Sequence, residues 1–390
     1  MKPTSIALGW VLLSLTVALL VPLPIPYYQD FSVLYFSDKA LLNRIALYDY
    51  PTQLVWVREQ TRPDFEFHPY PYPPWYALAT LPIALLPIAA AARMWFLVNL
   101  MMIGSAVWLL TPHWRVPLRL FGILAAVMFI PAFGLLIVGQ YSAPVLLGVA
   151  LFLWAARRES PWGLAAGLGL MTFKPHIGLF LALAGFGWLV FRRHEAFACQ
   201  AILRTILLAI LLAALGLLAD PRWPVTYLNS LMRYRDIPGV QSCGLCASLP
   251  VGLIRLLTGQ PQTGQAALLS GLLGLGLLGL FAWRFRGKIA GPSLLMCLAV
   301  VFTLLVDPYL LNYDYLLLLA PLTLLTTQVR SLSKRVALLT AYLLPWAVLA
   351  FGRQGNPLLA LSTLLVMALL WQNERPLSMH CEEYTRQMPG

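Results

Sequence analysis

Apolar residues in this chain come in long blocks, and polar residues gather in the gaps between them. Positions 6–23 are almost wholly apolar, which is the length that crosses ~30 Å of hydrocarbon as a helix. Further blocks lie at 91–110, 118–137, 141–156, 161–175, 177–192, 196–218, 262–283, 289–306, 312–329, 335–351 and 356–372. Read as spans, these blocks predict an all-α, polytopic integral membrane protein with about 12 transmembrane helices. No small-x-small cleavage site precedes the Pro-rich Val21-Pro22-Leu23-Pro24-Ile25-Pro26, so the first block reads as a retained span and not a signal peptide. Positions 75–90, broken by Pro82 and Pro87, read either as one more span or as a re-entrant or surface helix. Charge bias separates the two. If 75–90 does not cross, Arg157, Arg158, Arg192, Arg193, Arg284, Arg286, Lys288, Lys334 and Arg335 share one side with both termini. The positive-inside rule makes that side cytoplasmic.

The largest polar stretch is 27–72. Its first part places Phe31, Leu34, Tyr35, Leu41, Leu42 and Ile45 at near-helical spacing, which predicts an amphipathic helix on the bilayer surface. Tyr70-Pro71-Tyr72-Pro73-Pro74-Trp75 then reads as Pro-stiffened extended chain. The expected organisation is one transmembrane domain over 1–390. It carries an outer loop with surface helices at 27–90, a second outer loop at 220–260 and a cytoplasmic tail at 373–390.

Composition agrees with the block pattern. Of the 390 residues, 60% are hydrophobic and 11% charged, against about 25% charged in soluble domains. A water-soluble or disordered chain is excluded. The net charge of +12 comes from Lys and Arg scattered through short loops, so no nucleic-acid partner is expected. Cys243-Gly-Leu-Cys246 is the close cysteine pair. It lacks the βαβ context of a redox motif and reads as a local disulfide or free thiols. No second Cys or His pair completes a zinc site, so no metal and no cofactor is expected.

In the twelve-span topology all eight Asp residues fall on the outer side, and Asp30, Asp307 and Asp314 sit beside span ends. Ionisable residues there are functional candidates. Asp30 reads either as a helix cap or as a general base at the membrane surface. Tyr72, Trp75 and their neighbours read as an interfacial belt or as an aromatic wall for a sugar or isoprenoid chain. Gly139-Gln140 and Lys174-Pro175 mark outer turns. Lys174 either snorkels to the headgroups or serves a lipid-linked phosphate. Asp307-Pro308 through Asn312-Tyr313-Asp314-Tyr315 brings carboxylates and tyrosines into one segment. Arg233 and Arg235 add outer cations.

The order of these motifs resembles the GT-C superfamily of polyprenol-phosphate-sugar glycosyltransferases. It is most similar to glycosyltransferase family 87, which holds the mycobacterial phosphatidylinositol-mannoside α-1,2-mannosyltransferases. The residues that carry the resemblance are Asp30-Phe31, Leu47-Tyr48, Tyr72-Pro73-Pro74, Leu81-Pro82 with Leu86-Pro87, Gly139-Gln140, Gly167 with Lys174-Pro175, and Pro308 through Tyr313-Asp314. Two positions depart from the family pattern: Ile45-Ala46 replace a Gly before Leu47-Tyr48, and Asn312-Tyr313 stand where many members carry a His.

On the chemistry of the residues themselves, Lys174, Arg233 and Arg235 are expected on the donor phosphate, and Tyr72, Trp75, Gln140, Asn312, Tyr313 and Asp314 in the substrate pocket. The resemblance implies Asp30 as catalytic base. It further implies a polyprenyl-phosphate-linked sugar donor, with mannose the sugar it points to, and a glycolipid or exported glycan acceptor. Transfer with inversion would occur on the outer face of the inner (cytoplasmic) membrane, among membrane lipids. The competing reading is a lipid-linked sugar flippase or small-molecule transporter. Against it, no convincing internal repeat is present, and the ionisable residues sit at one edge rather than mid-span.

Overall fold

The computed structural model describes residues 3–21, 29–235, 246–259, 263–285, 291–352 and 356–372. All regular structure among them is helical. The first twelve helices are α1 (Pro3–Leu20), α2 (Gln29–Leu42), α3 (Tyr50–Gln60), α4 (Pro74–Ala84), α5 (Ile88–Leu110), α6 (Val116–Met128), α7 (Ile130–Val138), α8 (Ala143–Arg157), α9 (Pro161–Met171), α10 (Pro175–Phe191), α11 (Ala196–Ala219) and α12 (Trp223–Arg235). Helices Leu249–Thr258, Thr263–Arg284 and Pro292–Val306 follow, then a 3-10 segment Asn312–Leu318 that runs into helix Leu319–Thr326. Helices Leu332–Leu343 and Asn356–Trp371 lie beyond.

The ends of these helices are chemically marked. Pro occupies the first turn of α3, α4, α6, α7, α8, α9 and α10, where its missing N–H costs nothing. Asp49 and Ser160 accept from the first-turn amides of Thr52 and Gly163. The Arg93 guanidinium of α5 donates to the carbonyls of Ala18 and Leu19, both at 2.8 Å, and so satisfies the end of α1.

Among the described residues, four helical stretches are long and apolar enough to cross a membrane: Ile88–Leu110, Ala196–Ala219, Gly264–Arg284 and Leu332–Phe351. The pair α6 and α7 adds a fifth if it forms one broken span, bent by 64°. The bend falls just before Pro131, whose ring cannot continue the α6 hydrogen-bond ladder. α11 leaves Leu203, Leu207, Ile210, Leu211 and Leu218 exposed, an apolar surface that suits lipid and not water. The protein is a membrane protein on these grounds. Length and composition support these four or five as candidate crossings among the described residues and do not confirm the twelve read from the sequence. Several other apolar blocks form helices of 10–17 residues, such as Ala143–Arg157 and Pro292–Val306.

One open choice narrows and one expectation changes. Residues 75–90 are not one helix, in line with the broken alternative: α4 ends at Ala84 and α5 begins at Ile88, after Pro87. α2 does not lie on a surface with one wet face, since Phe31 through Asp38 are all buried. The aromatic run that follows it folds back over it. Tyr48 donates to the Tyr72 carbonyl at 2.8 Å, and Phe67, Tyr70, Tyr72 and Tyr76 pack into one core with Phe31, Leu34 and Tyr35. The remaining helices form a second, larger core. Within it α8 and α9 cross at Gly148 and Gly167, where a Cβ on Gly148 would stand 2.7 Å from the Gly167 carbonyl oxygen. Close backbone approach of this kind holds helices together where burial from water does not drive packing.

Candidate functional site

Three helix junctions and the start of α2 meet at one place. At the first junction Gly139 ends α7 in the left-handed conformation (φ 73°). Its carbonyl accepts from the Trp95 indole N–H at 2.9 Å. Gln140, Tyr141 and Ser142 follow, all buried, before α8 begins. At the second, Lys174 is the residue that leads into α10. At the third, Asp314 sits in the 3-10 segment, whose tight turn lets its carboxylate accept from the Leu311 amide at 3.1 Å.

Lys174 and Asp314 form a buried ion pair at 2.6 Å, with side-chain exposures of 2% and 0%. An ammonium carries three protons, and here each has an acceptor: Asp314 Oδ1 at 2.6 Å, Ser142 Oγ at 3.1 Å and Gln140 Oε1 at 3.2 Å. Ser142 in turn donates to Asp314 Oδ1 at 2.6 Å. The Lys174 ammonium also lies 4.8 Å from the centroid of the Tyr313 ring. The charge therefore neither snorkels nor faces an opening.

Asp30 stands beside this pair at the start of α2 and is half-buried. The Tyr141 hydroxyl donates to its backbone carbonyl. The Gln140 amide reaches its carboxyl while taking the Lys174 proton on the other end. Burial pushes the Asp30 carboxyl above its ordinary range; the Gln140 hydrogen bond and the Lys174 charge pull the other way, and burial wins. A carboxyl so placed can accept a proton when ionised.

Tyrosines wall the site. Tyr72 packs edge-on against Tyr141 with centroids 4.7 Å apart, and the Tyr234 and Tyr309 hydroxyls lie 3.1 Å from each other. Burial raises the phenols of Tyr72, Tyr234 and Tyr309, so they stay protonated and can donate. Asp307 accepts from the Tyr309 amide at 2.8 Å, and its Oδ2 is buried with no partner. His176, in the first turn of α10, places Nε2 3.9 Å from Asp314 Oδ2 and is about one-third exposed.

Of the residues singled out from the sequence, the fold gathers Asp30, Tyr72, Gln140, Lys174, Tyr313 and Asp314. Asn312 begins the 3-10 segment and is half-buried. Trp75 is held edge-on by Trp223, centroids 5.4 Å apart. Arg233 is exposed on α12, and the Arg235 side chain lies outside the described residues, as does Cys243. Cys246 is disulfide-bonded. Sequence reading missed Tyr141, Ser142 and His176. The polar run Gln140-Tyr141-Ser142 between two apolar blocks was the available signal for the first two, and adjacency to Lys174-Pro175 for the third.

Carboxylates, a buried ammonium and protonated phenols thus meet at the ends of apolar helices. The model of glycosyltransferase family 87 matches residues 70–308, more than half of the chain, and the protein belongs to that family. It is therefore a glycosyltransferase. Asp30 and Asp314 flank the matched segment on either side. No curated protein and no solved structure shows a significant match to the chain.

Proposed function

We propose that the protein transfers a sugar, mannose by its resemblance, from a polyprenyl-phosphate donor to a glycolipid or exported glycan acceptor. Asp30 is the base. The acceptor hydroxyl attacks the anomeric carbon from the face opposite the phosphate, and its proton passes to the Asp30 carboxylate. The bond between the anomeric carbon and the phosphate oxygen breaks, and its electron pair leaves on the lipid phosphate. A β-linked donor then gives an α-linked product. Phosphate is a good enough leaving group that no covalent enzyme intermediate is needed. Gln140 fixes the Asp30 carboxyl, and the Lys174–Asp314 pair fixes Gln140, so the base is held before substrate arrives.

The observation that carries this reading is the half-buried Asp30 carboxyl beside a fully hydrogen-bonded ion pair, at the end of apolar helices that can hold a lipid. The charge bias of the loops supports twelve crossings, with the site on the outer face of the cytoplasmic membrane. Purified protein in detergent, offered radiolabelled polyprenyl-phosphate mannose and a glycolipid acceptor, should form α-linked product. Failure with every polyprenyl-phosphate sugar, together with transfer from a nucleotide sugar, would replace the donor class.

A further inference from the structure

A donor phosphate entering this site meets the carboxylates of Asp30, Asp307 and Asp314, and a positive or hydrogen-bond-donating group must face it. Lys174 is not free to do so: its three protons are engaged and its side chain is 2% exposed. Its charge is also balanced by Asp314. Arg233 is exposed on α12. Two imidazoles stand near the carboxylates: His68, whose charge acts on Asp30, and His176, which lies at the Lys174–Asp314 pair. His176 has Nε2 toward Asp314 Oδ2, its ring edge-on to Tyr309 with centroids 6.0 Å apart, and about one-third of its side chain accessible. It acts electrostatically on Asp307 as well. An imidazolium has two N–H donors; with one turned to Asp314, the other is left for an anion. Beside it, Asp307 Oδ2 is a buried acceptor with no donor. Such an atom is costly when left unsatisfied, and a sugar hydroxyl would satisfy it.

We propose that His176 and Asp307 form the subsite for the glycosyl-phosphate headgroup of the donor, with the His176 ring against the phosphate and Asp307 Oδ2 accepting a sugar hydroxyl. The inference rests on the lipid-phosphate reading above and assigns its two contacts. Lys174 acts through Asp314 and Gln140 and is a positioning residue; His176 touches substrate.

The probe is farnesyl phosphate, with farnesol as the uncharged control, binding to the full chain in detergent. The wild type should bind farnesyl phosphate more tightly than farnesol. His176→Gln should lose at least tenfold of the phosphate affinity and none of the farnesol affinity, and His176→Arg should retain most of it. Asp307→Asn should leave farnesyl phosphate binding within twofold while raising KM for a polyprenyl-phosphate sugar at least fivefold. A check that needs no variant uses diethylpyrocarbonate on the wild type: farnesyl phosphate, and not farnesol, should protect His176 from modification as read by mass spectrometry. Unchanged phosphate binding in His176→Gln, or unprotected His176, overturns the subsite while leaving the lipid-phosphate reading in place. A wild type that neither prefers farnesyl phosphate to farnesol nor transfers sugar from a lipid phosphate overturns both.

Discussion

Lys174 Nζ and Asp314 Oδ1 stand 2.6 Å apart although 140 positions separate them in the chain. The pair joins the start of α10 to the 3-10 segment and lies under Asp30. Two opposite charges out of water are held by each other, by Ser142, Gln140 and the Leu311 amide, and by the neighbouring Tyr313 and His176 rings. Removing one partner strands the other, which typically costs about 3–5 kcal/mol. Lys174→Met and Asp314→Asn should each shorten the thermal inactivation half-life in detergent sharply. The double variant should lose less than the sum of the two, because neither charge is then left alone. Additive losses would show that the two side chains act independently.

Gly178 sets the position of the same helix. A Cβ there would stand 1.8 Å from the Met171 carbonyl oxygen at the end of α9. Backbone must move to admit it, and the first turn of α10 carries Lys174 and His176 with it. Gly178→Ala is expected to lower the melting temperature and to abolish most transfer. Gly187, in the same helix, has nothing within 4 Å of its Cβ position. Gly187→Ala should be neutral or stabilising by up to about 1 kcal/mol, so the pair of variants separates crowding from helix propensity in one melting experiment.

The helices were legible because apolar blocks of fixed length are a one-dimensional signal. The turns at Gly139-Gln140, Lys174-Pro175 and Pro308 through Asp314 were legible as polar breaks between blocks. Their meeting was not. No sequence period relates Gln140, Lys174 and Asp314, and only the stacking of α7, α8, α9 and α10 brings them to one end. The environment of Lys174 shows the consequence: a lone cation at a turn reads as facing headgroups, yet it is sealed by an acid 140 positions away. α2 was legible as a helix and not as a buried one. Its spacing puts Ser32 and Ser37 beside the apolar stripe and Asp38 within it, and the fold-back of Phe67 through Tyr76 packs over the helix.

Asp38 gives that burial a pH signature. It is 1% exposed, with Oδ1 unpartnered among Tyr70, Tyr76 and Thr80. Burial pushes its carboxyl well above the ordinary carboxylate range, the Thr80 hydrogen bond opposing weakly. The folded protein thus binds this proton more tightly than the unfolded chain. The contribution to stability is fully present below the ordinary carboxylate range and is lost as pH rises toward the raised value. Melting temperature should therefore fall as pH rises from 4 to 8, and Asp38→Asn, permanently neutral, should flatten that slope. An unchanged slope in the variant would assign the pH dependence to other groups.

Asp30 is the sharpest test of the chemistry. Its carboxyl is half-buried, hydrogen-bonded by Gln140 and raised above its ordinary range by burial. Asp30→Asn keeps the size and an oxygen for Gln140 but cannot take a proton. The variant should fold and insert normally, bind farnesyl phosphate as the wild type does, and transfer sugar ~10²-fold more slowly or worse, the range that loss of a general base costs. The wild-type kcat/KM should fall on the acid side with an apparent pKa above the ordinary carboxylate value, since the base works only when ionised; the residual rate of Asp30→Asn should lack that limb. Asp38→Asn should change the rate far less, because its carboxyl is sealed away from any substrate. A near-wild-type rate in Asp30→Asn with the acid limb intact would remove Asp30 as the base and leave Asp307 as the next carboxylate with a free oxygen in the site.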